Sequence, residues 1–130
     1  MLEERELEEL AKALKRGELD KTGAVLGLLY LAYVETGGHG GMTADDVVRV
    51  LQESGYDITK ERFYSLASQL MKKGYIESHK INGRRVIYTI NSDSEYEVEQ
   101  KLRERLEKSA PTAERVSAEE MRRILDRHST

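Results

Sequence analysis

The spacing of apolar positions divides the chain into six helical stretches and one hairpin. Residues 2–16, LEERELEELAKALKR, set Leu7, Leu10 and Leu14 on one side of a helix. Its acids come early and Lys12, Lys15 and Arg16 late, as the helix dipole favours, and Gly17 ends it. Three leucines make a narrow stripe that must lie on the body of its own domain or on a second chain. From about Lys21 to Thr36 the pattern is apolar on nearly every side, which predicts a buried helix. Gly23 and Gly27, one turn apart on it, would let another helix approach closely.

The glycines of GGHGG at 37–41 read as a flexible linker. The phosphate-loop alternative lacks the lysine and the Ser or Thr that complete such a loop. Thr43 is an N-cap for a helix through about Ser54, with Asp45 and Asp46 in its first turn and Val47, Val48 and Leu51 inward. Gly55 stops it, and Thr59 caps the next helix, KERFYSLASQLMKK, which runs to Gly74.

Two strand-forming runs follow in GYIESHKINGRRVIYTI, joined at Asn82-Gly83, a pair suited to a turn with positive φ at both residues. A strict two-residue loop sets Lys80 opposite Arg85, a repulsive pair. Slipping by one sets Ile76 opposite Ile90 and Ser78 opposite Tyr88, gathering Ile76, Val86, Tyr88 and Ile90 on one buried face. The slipped register, with a slightly wider loop, is the expectation. From Ser94 a further helix carries a thin seam of Val98, Leu102 and Leu106, too little for a core helix, with i,i+4 pairs Glu97–Lys101, Glu99–Arg103 and Glu104–Lys108. After Pro111, Ser117 to Glu120 form a capping box for a last helix with Met121, Ile124 and Leu125 on one side.

Composition narrows the chemistry. The 130 residues fit one domain. The absence of cysteine excludes disulfides and thiolate chemistry and fits a cytoplasmic location. The longest apolar run, 24–34, is far short of the ~20 residues that span a bilayer, so no membrane role is expected. His39, His79 and His128 are dispersed, and no hydrolase, metalloprotease or complete phosphate-loop motif is present. His39 with Asp45 or Asp46 is a weak metal candidate beside the plainer reading of a loop histidine. The chain is therefore expected not to be an enzyme and to need no cofactor. Net charge is −3, yet between Ile58 and Val86 seven cations face two anions. A basic segment on an acidic body is the footprint of a polyanion site.

Short helices followed by a hairpin are the order of a winged helix-turn-helix: mainly α with a small β-hairpin, α+β in class. Unrolled at the helical period, 60–73 buries Phe63, Leu66, Ala67 and Leu70 and presents Arg62, Ser65, Ser68, Gln69 and Lys72, with Tyr64 at the edge. Arg and Gln bridge the major-groove edges of guanine and adenine, and Ser serves base or phosphate. Glu61 falls on the same side and counts against the reading. Thr59, Lys60, Lys73, Lys80, Arg84 and Arg85 are the candidates for backbone anchoring, the last three at the hairpin tip.

The run TKERFYSLASQLMKKGYIES followed by GRRVIYTIN resembles the PadR group of winged-helix regulators, and more loosely MarR-like winged helices. Phe63-Tyr64, Leu66, Leu70, Gly74, Tyr75-Ile76, Gly83-Arg84-Arg85 and Tyr88 carry the likeness, which extends over about residues 24–107. Ser65 stands where that group has proline, and Met42-Thr43 where it has Gly-Tyr. The resemblance implies a dimeric transcriptional regulator, a repressor, on double-stranded DNA. It implies dimerisation through helices outside the wing, for which Leu7, Leu10, Leu14, Val98, Leu102 and Leu106 are the candidates, the alternative being that these helices fold back within one chain. The organisation expected is an N-terminal helix at 1–17, a DNA-binding domain at 18–93 and dimerising helices at 94–130. A small-molecule effector is a candidate partner, and Tyr30 and Tyr33 are candidates to line a dimer-interface pocket, against the commoner role of plain core. The competing functions are a DNA-coating architectural or plasmid-partition protein, and a winged helix used for protein contacts.

Overall fold

Helix α2 (Lys21–Glu35) is the post around which the other elements pack, as its unbroken apolar run requires. The computed structural model describes residues 1–108; the expected last helix, with Met121, Ile124 and Leu125, lies outside them. The Asp20 side chain caps α2 by accepting from the Gly23 amide, a start signal not read from the sequence. Around it are α1 (Glu4–Lys15), β1 (Gly41–Met42), α3 (Ala44–Glu53), α4 (Lys60–Lys72), β2 (Ile76–Ile81) and β3 (Arg85–Ile90). A short 3-10 turn, Ser92–Ser94, then leads into helix α5 at 95–108.

The Gly23 and Gly27 pair does admit close neighbours. A Cβ on Gly27 would lie 3.1 Å from Leu10 of α1 and 3.7 Å from Leu102 of α5, so both terminal helices meet α2 at that point. This corrects the expectation that 94–108 is too poor in apolar residues for the core. Val98, Leu102 and Leu106 are all buried, because a narrow seam suffices where the opposing surface has no side chain. Leu10 and Leu14 are buried with them and Leu7 is half-buried, so the seam residues offered for a second chain are covered by this one.

The ion pairs along α5 also differ from the i,i+4 expectation. Glu99 turns inward and accepts from the Tyr30 hydroxyl at 2.8 Å, while its other oxygen lies 3.1 Å from the Met1 ammonium. Arg103 instead reaches across to Glu6 of α1 at 2.8 Å, and Lys101 pairs with Glu104. A buried carboxylate is costly unless bonded, so long-range partners outcompete a solvated neighbour on the same helix.

The sheet has three strands in the order β1-β3-β2, all antiparallel. The hairpin takes the slipped register, Ile76 opposite Ile90 and Ser78 opposite Tyr88. Residues 82–84 form its loop, with φ of 50° at Asn82 and 80° at Gly83. Strand β1 corrects the linker reading of 37–41: Gly41 pairs with Thr89 and Met42 with Tyr88. Gly41 is required there, since a Cβ would fall 2.4 Å from Ile87 and 2.5 Å from both Thr89 and the Tyr88 carbonyl. A glycine that reads as slack is a point of close backbone contact.

Candidate nucleic-acid interface

The N-terminus of α4 is fixed by Thr59, whose hydroxyl oxygen accepts from the Arg62 amide at 3.2 Å. Gln52 holds the preceding loop by donating to the Ile58 carbonyl at 2.9 Å. The helix buries Phe63, Leu66, Ala67 and Leu70, the four residues its periodicity selects. Arg62, Ser65, Gln69 and Lys72 are exposed on the other side with Glu61, Ser68 is half-buried, and Tyr64 is 47% exposed. Thr59, Lys60 and Lys73 are exposed at the two ends.

Helix and wing form one unit. At Gly74, φ 78°, the chain leaves α4, and the Tyr75 amide donates to Leu70 at 3.0 Å. Asn91 closes the base of the hairpin, its amide donating to Tyr75 and its side chain to the Gly74 carbonyl. The Tyr88 ring of β3 meets Phe63 of α4 edge-on, centroids 5.0 Å apart and planes at 87°. Burial, with Tyr64 nearby, pushes the Tyr88 hydroxyl above its ordinary value, so it stays neutral. These contacts fix the angle at which the hairpin leaves the helix.

Between the two elements lies a groove of about 440 Å³ whose lining includes Lys60 and Tyr64 of α4, Arg84 and Arg85 of the wing, and Asp45 and Asp46 of α3. Three of the cations singled out in the sequence therefore share one concavity. They are not alone in it. Lys60 Nζ lies 2.7 Å from Asp45, which holds the ammonium above its ordinary value, while Asp46 pairs with Arg49 at 3.1 Å.

Lys80 is placed differently. In the observed register it faces Val86, and Arg85 faces Ile81, so strand alternation sets Lys80 and Arg85 on opposite faces of the ribbon. The sequence presents the tip cations as a row; the register divides them. Tyr30 and Tyr33 are buried, and their hydroxyls donate to Glu99 and Glu95, which makes them core rather than pocket lining. Among the described residues no group of three or more His, Cys, Asp or Glu is placed to hold a metal ion. No helix among them is long and apolar enough to cross a membrane.

No family model matches the sequence, and no curated protein matches it. Solved structures do. The chain is similar to MepR, a transcription regulator of the Staphylococcus aureus multidrug efflux pump MepA, at 17% identity and a TM-score of 0.52 over 95% of this chain and 87% of that one. It is also similar to a transcriptional regulator from Clostridium thermocellum, at 20% identity and a TM-score of 0.50 over 92% of this chain and 97% of that one. At such identities the likeness is one of fold: helices and a three-stranded antiparallel sheet in the winged-helix arrangement.

Proposed function

We propose that this chain is a cytoplasmic, PadR-type transcriptional repressor that binds double-stranded DNA as a homodimer. The observation that carries the reading is the groove shared by Lys60, Tyr64, Arg84 and Arg85, which joins the exposed face of α4 to the wing tip. In this reading α4 enters the major groove, with Arg62, Ser65, Ser68, Gln69 and Lys72 toward base edges. Arg84 and Arg85 meet phosphates or the minor groove beside it, where concentrated negative potential favours arginine. Lys73 and Lys80 add sequence-independent charge, and Thr59, whose oxygen already accepts as a cap, keeps its O–H for a phosphate.

The structural neighbours support the regulatory part of the reading through what they are, transcription regulators of the same fold. In this reading the dimer forms on surfaces other than Leu10, Leu14, Val98, Leu102 and Leu106, which this chain itself buries. We assign Tyr96 of α5, 71% exposed, to one such surface.

Selection of bound sequences from a random duplex pool tests the proposal. A two-fold symmetric site is the expected result, its half-sites one or more helical turns apart. Failure of any sequence to enrich contradicts a sequence-reading regulator, and extended footprints without a boundary indicate an architectural protein instead.

A further inference from the structure

The ion pair between Asp45 and Lys60 sits inside the groove that the DNA-binding reading assigns to phosphate. Of the two acids lining it, Asp46 is engaged with Arg49, and Asp45 is left facing the lysine. Both members of the pair are well exposed, 48% for Lys60 and 76% for Asp45, so little energy binds them to one another. Asp45 also lies in the first turn of α3, where the helix dipole favours a carboxylate with or without the lysine. The pair is thus easily opened, and each partner has somewhere to go.

We infer that Asp45 is a built-in competitor for DNA phosphate at Lys60, an inference that rests on the DNA-binding reading. In the free chain the carboxylate occupies the ammonium. On docking, a phosphodiester takes its place, and Asp45, released but still in the groove, repels the incoming anion. The carboxylate weakens binding twice over, by neutralising one anchor and by opposing the phosphates that Arg84 and Arg85 attract. Because phosphate contacts are blind to sequence, this lowers affinity for every duplex by a similar factor. Complexes lacking the base contacts of α4 are then the first to be lost at working salt. Regulation of affinity is built from a residue whose local pattern reads only as a helix-start acid.

The test is a double-mutant cycle read by fluorescence anisotropy on one mixed-sequence duplex across a salt series, using the parent, Asp45→Asn, Lys60→Gln and the double variant. Asp45→Asn is expected to tighten binding about fivefold at low salt and to steepen the log–log salt slope, because docking no longer frees a carboxylate that takes up a cation of its own. In the Lys60→Gln background the same substitution tightens binding much less and leaves the slope in place. Equal tightening in both backgrounds, or none in either, overturns the inference and leaves the DNA-binding reading standing. A parent that binds no duplex at low salt, while its circular dichroism shows it folded, overturns that reading and this inference with it.

Discussion

The Tyr30 hydroxyl on α2 donates to Glu99 on α5 at 2.8 Å, and Glu99 is only 2% exposed. The same hydroxyl oxygen accepts from the Leu2 amide at 3.2 Å, so one side chain ties three segments of the chain together. Tyr30→Phe removes both bonds and leaves a buried carboxylate oxygen short of its donor, a loss of about 1–3 kcal/mol in denaturant unfolding. Burial, and then Glu99, push the Tyr30 hydroxyl up. The unfolded chain therefore ionises first, and stability falls as pH rises above about 10. In Tyr30→Phe that alkaline decline is shallower.

Gly41→Ala tests strand β1. The added methyl would collide with backbone at the Tyr88 carbonyl as well as with Ile87 and Thr89, so the strand must move away. The expected cost is about 1–3 kcal/mol, with faster amide hydrogen exchange confined to 41–42 and their partners in β3. Unchanged exchange there would contradict the pairing.

Acid sensitivity is expected at the contact between α1 and α5. The Arg103 guanidinium at 2.8 Å, with the Glu3 amide as a second donor, holds Glu6 below its ordinary value. A depressed carboxylate stabilises the fold above its unfolded pKa and loses that contribution as pH falls through the folded one. Stability should therefore drop from about pH 5 downward, and Arg103→Gln should flatten the drop while lowering stability at neutral pH. A variant with the parent's acid profile would dissociate the effect from this pair.

Most of the fold is legible in the sequence wherever one chain segment decides the outcome. Thr43 and Thr59 cap the helices they precede, Gly74 ends α4, and the wish to bury Ile76, Tyr88 and Ile90 together selects the hairpin register. What escapes is decided between segments. The apolar seam of α5 looks too thin until Gly27 removes the side chain opposite it. Glu99 reads as half of a helix-surface pair until Tyr30 approaches from sixty-nine positions away. Likewise the exposed face of α4 follows from periodicity, but the Asp45 contact to Lys60 and the opposed faces of Lys80 and Arg85 depend on packing and register.

Sedimentation equilibrium addresses the homodimer. The expected species has twice the 14.9 kDa chain mass, and Tyr96→Lys, a charge placed on the exposed ring's position, should shift it toward monomer. Dimerisation unaffected by this change would move the interface away from that part of α5.

The most direct test of the central claim is the salt dependence of DNA binding by the parent and the Arg84→Ala, Arg85→Ala double variant, on a selected duplex and an unrelated one. The variant is expected to lose affinity by a similar factor on both, and its log–log salt slope to flatten by about 1.8, two phosphate contacts. Gln69→Ala, by contrast, should cost ~1–3 kcal/mol of discrimination at one base pair. A double variant that binds as tightly as the parent at every salt concentration would contradict the assignment of the wing and groove to DNA.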